Sequence, residues 1–309
     1  MSEDDSTSYP ELLKINVDFS CRGKKCEDCG KFFECEYPQK EKFHDRGRFG
    51  KIQSQMGNIK YKIAVLSGKG GVGKSTLSAN LAAAFAMKKK STSIVDSDFY
   101  GPSIPKILGV TGKKMKMGRE GIIPVESPLN IKVISTGLVV EDDEAVTWFH
   151  ELKRGALEGF LAHVDYGKTD YLIIDLPPGT GSESYNLMQC VPSLSGAIVV
   201  TVPSEVSQEV ARRSVSLCLV AKIPVIGIIE NMSGFVCPDC GEVSYILSQG
   251  GGEKLAEETG VPFLGRIPLD QRVSEASDNG IPFIAQFPEA PVSRSFLDIV
   301  GKIEEILKG

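Results

Sequence analysis

The sequence predicts an α/β fold: a doubly wound, mostly parallel sheet preceded by a small cysteine-rich metal-binding segment. Three observations lead there. Short apolar runs recur between residues 61 and 230, stretches with helical spacing separate them, and a glycine-rich loop, Gly68-Lys-Gly-Gly-Val-Gly-Lys-Ser75, joins the first run to the first helical stretch. Alternating strand and helix requires parallel crossovers that cover both sheet faces. With 309 residues, 41% of them hydrophobic, the chain can bury one large core and carry an appendage. The expected division is residues 1–56 for the cysteine-rich segment and linker, and 57–309 for the α/β domain.

Composition narrows the setting. A formal charge of −5 and a pI near 5.5 leave no global footprint for nucleic acid. Lys88 to Lys90 and Lys113 to Lys116 are expected as solvated loop faces. No apolar run approaches the roughly 18 residues needed to span a bilayer, and the acidic N-terminus lacks a signal-peptide core. The expectation is a cytoplasmic protein without nucleic-acid or membrane partners.

Residues 1–56 show no sustained periodicity. Their cysteines run Cys21-x4-Cys26-x2-Cys29-x5-Cys35, a set of four thiolates that suits one iron-sulfur cluster or one tetrahedral zinc. Arg22, Lys24, Lys25 and Lys31 would favour the ionised thiols. Residues 45–60, with Gly47, Gly50 and Gly57, are expected as a tether, and His44 as its surface residue.

The loop after the first strand matches G-x-x-x-x-G-K-[ST] in full and marks a P-loop NTPase domain. Gly68, Gly70, Gly71, Val72 and Gly73 let backbone amides approach phosphate oxygens. Lys74 supplies a charge for the outer phosphates of ATP, Ser75 a hydroxyl for Mg2+, and Thr76 support for the α-phosphate. Lys69 is surplus to the pattern. The following helix places Leu77, Leu81, Ala84 and Phe85 on the sheet.

Ser93 to Asp98 reads as a second strand ending in carboxylates, with Asp96 assigned to the magnesium shell and Asp98 to the attacking water. Phe99 to Pro105 forms a stiff turn, residues 113–130 a charged hairpin region, and Ile131 to Ser135 a further strand. Trp148 to Val164 is an amphipathic helix burying Leu152, Ala156, Leu157, Phe160 and Leu161. Tyr171 to Asp175 ends in the Walker B carboxylate, a magnesium ligand through water, and Leu176 to Gly181 makes a rigid turn whose Gly179 N–H is placed at the γ-phosphate.

Ala197 to Val202 and Pro224 to Asn231 are buried strands flanking a helix from Ser207. Asn231, at a parallel strand end, has an amide suited to the adenine edge. Cys237-Pro-Asp-Cys240 supplies two ligands, half of a four-thiolate site that a symmetric dimer completes; a redox pair and a zinc knuckle are the competing readings. Cys190 and Cys218 fall in apolar surroundings and are assigned to the core. Gly250 to Glu258 starts a helix, Gly265 to Asp270 a last strand and loop, and Val292 to Leu307 a capping helix.

The loop GKGGVGKS resembles the deviant phosphate loop of the MinD, ParA and nitrogenase-iron-protein class. Asp98-Phe-Tyr-Gly-Pro-Ser-Ile-Pro, Asp175-Leu-Pro-Pro-Gly-Thr-Gly, Asn231-Met-Ser-Gly-Phe-Val-Cys-Pro-Asp-Cys-Gly-Glu and Gly251-Gly-Glu-Lys-Leu-Ala extend the resemblance, from about residue 58 onward, to the Mrp/ApbC/Nbp family of iron-sulfur carrier ATPases. It implies a homodimer in which Lys69 reaches the partner's nucleotide, with Lys69, Lys74 and Asp98 catalytic. It also implies a [4Fe-4S] cluster bridged by Cys237 and Cys240 of two subunits, with apo iron-sulfur proteins as recipients. Cys21, Cys26, Cys29 and Cys35, outside the resemblance, are expected from their spacing to hold a second [4Fe-4S] cluster, and ATP hydrolysis is expected to be slow. An ATP-driven electron donor resembling the nitrogenase iron protein, or a ParA- or MinD-like positioning ATPase with structural zinc, are the alternatives.

Overall fold

A computed structural model describes residues 50–118, 121–139, 150–236, 240, 242–245 and 248–309. Helical residues 50–57 (α1) lead into β1 (Ile59–Ser67), α2 (Lys74–Met87) and β2 (Thr92–Asp96). A short α3 (Ile104–Ile107) precedes the hairpin β3 (Lys116–Met117) and β4 (Ile122–Ile123), then β5 (Val125–Glu126) and β6 (Lys132–Ser135). Next come α4 (His150–His163), β7 (Thr169–Asp175), α5 (Ser182–Gln189), β8 (Gly196–Thr201), α6 (Glu205–Val220) and β9 (Val225–Glu230). The chain ends with β10 (Phe235–Val236), β11 (Val243–Ser244), α7 (Gly251–Thr259), β12 (Phe263–Arg266), α8 (Arg272–Asp278), α9 (Phe283–Gln286) and α10 (Pro291–Ile306).

The main sheet has the order β12-β9-β8-β1-β7-β2-β6-β5. Its pairings are parallel except for β5 against β6. Strand periodicity sorts each side chain to one of two cores. Ile63 and Val65 of β1, with Tyr171 and Ile173 of β7, join the core formed with Leu77, Phe85, Phe283, Phe296 and Val300. Ala64, Leu66, Leu172 and Ile174 face the opposite core, with Leu157, Leu161, Met188, Cys218 and Leu255. Helices therefore cover both faces, as the alternation of elements predicts.

Several local expectations change. The tether is partly a helix: Ile52 and Met56 of α1 bury in the second core. Lys62 is buried below α1, and its Nζ donates to the Met56 carbonyl at 3.2 Å and the Ile59 carbonyl at 3.3 Å. The Met56 carbonyl is an acceptor that the end of α1 leaves unmatched, and the Ile59 carbonyl opens β1. The compact α/β unit accordingly starts at Lys51. In α2 every residue from Leu77 to Phe85 is buried, because the sheet lies on one side and α3, α9 and α10 lie on the other. β2 stops at Asp96, α6 begins at Glu205, and α8 and α9 appear where no element was expected. Among the described residues no helix is long and apolar enough to cross a membrane.

All parallel strands present their C-terminal ends to one edge, where β1, β2, β7, β8 and β9 deliver Ser67, Asp96, Asp175, Thr201 and Glu230. That edge is where open α/β sheets hold ligands.

Candidate functional site

The phosphate loop hangs from β1 at this edge. Gly71 and Gly73 both have φ 78, the left-handed region that a side chain penalises. Gly68 meets a different limit, since a Cβ there would sit 2.5 Å from the Val210 carbonyl of α6. The Ser67 hydroxyl steadies the bend by donating to the Lys69 carbonyl at 2.9 Å. Gly73 then opens α2, and its carbonyl accepts the Leu77 N–H at 2.9 Å. The loop thus delivers its glycines to the positive end of a 14-residue helix.

Behind the loop, Asp175 at the end of β7 is wholly buried. Its Oδ2 lies 2.7 Å from Lys74 Nζ and accepts the Ser75 hydroxyl at 2.6 Å, while Oδ1 accepts the Ser78 hydroxyl at 2.6 Å. The Asp175 carbonyl accepts the Ser97 hydroxyl at 2.6 Å. Three charge-stabilising donors offset the cost of taking this carboxylate out of water. The fold thus brings Asp175, expected from the sequence at the Walker B position, beside Lys74 and Ser75. Ser78 was not foreseen, although it follows Ser75 by the three residues that align side chains on one helix face.

Asp96 is also buried and pairs in register with Asp175. Its oxygens accept the Asp98 N–H at 3.1 Å and the Ile104 N–H at 3.2 Å, so it anchors the turn between β2 and α3. Burial, and then the Asp175 charge, push its carboxyl up to about 8. Because β2 stops, Asp96 and Asp98 do not share a strand face. Asp98 instead closes the turn, its Oδ1 accepting the N–H groups of Tyr100 and Gly101 at 3.3 Å each. The Gly179 N–H, expected at the γ-phosphate, donates to the Ser67 carbonyl at 2.9 Å and latches the turn after β7 to β1.

Asn231 follows β9 and reaches the loop from the other side. Its Nδ2 donates to the Val72 carbonyl at 2.8 Å, and a Cβ on Gly73 would run into the same amide. The backbone turns at Met232 (φ 56) and enters the antiparallel hairpin β10–β11, which carries an exposed Cys240. Cys237 lies outside the described residues, as do Cys21, Cys26, Cys29, Cys35, His44 and Trp148. Cys190 and Cys218 are core residues: burial pushes their thiols up to about 11 and about 12. Lys69 is half-buried on the loop, and among the described residues it pairs with no carboxylate. Gly70 is exposed beside it and Thr76 is half-buried, its carbonyl accepting from Asn80 Nδ2 at 2.8 Å. Glu230, next to Asn231 and fully buried, carried no sequence signal beyond its position at a strand end.

A family model described as ParA: NUBPL iron-transfer P-loop NTPase matches residues 58–304. An iron-sulfur cluster carrier protein of Saccharolobus solfataricus is 48% identical over 259 residues, covering 84% of this chain and 88% of its own. A protein of the same description from Methanocaldococcus jannaschii is 46% identical over 290 residues, covering 94% and 98%. Among solved structures, a nucleotide-binding protein from Archaeoglobus fulgidus in complex with ADP has a TM-score of 0.68 at 38% identity, covering 76% of this chain and 92% of that one. The septum site-determining protein MinD of Pyrococcus horikoshii, at 22% identity and TM-score 0.60 over 80% and 96%, shares the fold. With a complete phosphate loop, a Walker B carboxylate on its lysine and a matching family model over most of its length, the chain belongs to the ParA family of NUBPL-type iron-transfer P-loop NTPases.

Proposed function

We propose that this protein is an ATP-hydrolysing iron-sulfur cluster carrier, which holds a [4Fe-4S] cluster between two copies of the chain and passes it to apo-proteins. The observation that carries this reading is the short covalent path from Asn231, hydrogen-bonded to the phosphate loop at Val72, to the hairpin bearing Cys237 and Cys240. A change in the loop has a direct mechanical route to the cysteine pair. The names of the two archaeal relatives point to the same cargo.

The chain's residues divide the work at the nucleotide. Gly68 to Gly73 seat the phosphates, Lys74 moves from Asp175 toward their charge, and Lys69 serves the nucleotide of the second copy. Asp98 orients the attacking water once the turn it closes rearranges, and Asn231 exchanges Val72 for the base. The Ser75 hydroxyl and Asp175 carboxylate are hard oxygen donors that fit Mg2+, with Asp96 behind them. When bound, the ion neutralises charge on the phosphates. Cys21, Cys26, Cys29 and Cys35 hold a second cluster. Hydrolysis is slow because the second copy and the turns at Phe99 to Pro105 and Leu176 to Gly181 must all be in place.

Anaerobic reconstitution of the full chain tests the cargo. Cys237→Ala and Cys240→Ala are expected to lose the iron and absorbance of one cluster per dimer and to fail in transfer to an apo-acceptor. Full retention in both variants would falsify the bridging site. For the dimer, Lys69→Ala is expected to keep its fold and lose ATP turnover, and unchanged turnover removes the role in trans.

A further inference from the structure

The run Gly250-Gly251-Gly252 at the start of α7 is used neither by the phosphate loop nor by the cysteine pair, yet all three positions exclude a side chain. Gly250 is left-handed (φ 82), and a Cβ on Gly251 would collide with Gln208. A Cβ on Gly252 would sit 2.8 Å from the Cβ of Glu230. The glycines let the first turn of α7 close onto that one carboxylate.

Glu230 is 0% exposed at the C-terminal end of β9. Its Oε2 accepts the Gly252 N–H at 2.5 Å, and its Oε1 accepts the Ser233 hydroxyl at 2.5 Å and the Gly250 N–H at 3.3 Å. Arg266 of β12 brings Nε to 3.5 Å, near enough for charge attraction although outside hydrogen-bond geometry. A carboxylate this far from water persists only among such donors, and the positive end of α7 adds to them.

The hydrogen-bond donors come from two separate segments, the first turn of α7 and Ser233, which begins the root of the cysteine hairpin, while Arg266 of β12 adds its charge from a third. Backbone bonds reinforce that root: Ser233 N–H donates to the Ile267 carbonyl at 2.9 Å, and Leu269 N–H donates to the Gly234 carbonyl at 2.7 Å. The neighbouring Asn231 grips Val72.

We infer that Glu230 is a positioning residue that locks the root of the Cys237–Cys240 hairpin to the strand end gripping the phosphate loop. The inference rests on the reading of Cys237 and Cys240 as cluster ligands. Without this carboxylate the hairpin root and the first turn of α7 lose their common anchor, while the bond from Asn231 to Val72 and the loop itself stay.

The test uses the full chain with Cys26→Ala and Cys29→Ala, so that the hairpin site alone is reconstituted, under anaerobic conditions. Glu230→Gln removes the charge and faces an amide group toward N–H donors; Gly252→Ala keeps the charge and displaces the carboxylate. Both are expected to bind a fluorescent ATP analogue as the parent does, to show altered visible circular dichroism of the cluster, and to surrender iron to a chelator about 10-fold faster, the scale seen when supports behind metal ligands are removed. If Glu230→Gln does not fold, Gly252→Ala decides alone. Parent-like spectra and chelation in the variants, with Cys240→Ala losing its cluster, overturn the inference alone. Loss of ATP-analogue binding in step with the cluster also overturns it, since Glu230 would then be a general structural support. A Cys240→Ala control that keeps its cluster overturns the cluster reading and the inference with it.

Discussion

Lys74 Nζ lies 2.7 Å from Asp175 Oδ2, although 101 residues separate them in the chain. Both are buried, so their charges depend on each other and on the hydroxyls of Ser75 and Ser78. Removing one partner strands the other in a medium that solvates it poorly.

Lys74→Met is therefore expected to destabilise the protein by about 3 kcal/mol, the scale for breaking a buried pair, as well as abolishing ATP binding. Urea unfolding without nucleotide checks the first effect and isothermal titration the second. Unchanged unfolding would mean that the serine hydroxyls alone satisfy Asp175.

At Gly73 two penalties coincide, a left-handed backbone and collision with Asn231. Gly73→Ala is expected to cost about 1–2 kcal/mol from backbone alone and more from displacement of Asn231. Asn231→Ala relieves the collision, so the double variant should recover part of the lost stability; strict additivity would show that the two sites do not interact.

The Asp96 carboxyl, raised from 3.8 to about 8 by burial first and the Asp175 charge second, makes stability depend on pH. Between those values the folded protein holds a proton that the unfolded chain has released, so stability falls as pH rises through the window. Asp96→Asn should remove this fall. Unfolding midpoints across that range, compared between parent and variant without magnesium or nucleotide, measure it.

Lys62 carries the opposite slope. Burial lowers its ammonium below the ordinary 10.5, so the unfolded chain binds the extra proton in the alkaline window and stability rises with pH there. Lys62→Met, which keeps the length of the side chain, is expected to flatten that rise, as read from alkaline unfolding curves.

Burial holds the thiols of Cys190 and Cys218 in the unreactive protonated form at neutral pH, whereas Cys240 is exposed. Iodoacetamide should label Cys240 in the native apo-protein and reach Cys190 and Cys218 only after unfolding, as followed by peptide mass mapping. Rapid native labelling of either buried residue would contradict their core assignment.

Local chemistry made much of the fold and the phosphate site legible. The loop from Gly68 to Ser75 imposes its conformation through adjacent residues, and the strands of β1 and β7 announce themselves by apolar runs ending in polar groups. The amphipathic spacing of α4 correctly marks Ala156, Leu157, Phe160 and Leu161 as buried. Short α8 and α9 escaped because a helix of one or two turns has no period to detect. The burial of α1 escaped because its glycine-bearing sequence resembles a linker, and only packing under β1 explains Ile52 and Met56.

The sequence by itself determined the strand–loop–helix that carries the phosphate-loop motif, the apolar strand that ends in Asp175, and the class of α/β sheet, because each follows from residues close together in the chain. Only the tertiary structure decided that Asp96 and Asp98 hold turns, that Gly179 latches to Ser67, and that Glu230 and Asn231 tie the cysteine hairpin to α7 and the phosphate loop. The physical reason is that a carboxylate or amide takes its role from whichever donors and acceptors the fold brings within hydrogen-bond reach: Asp96 and Asp98 find theirs nearby once β2 stops, whereas Glu230 and Gly252 are 22 residues apart and Asn231 and Val72 are 159 apart.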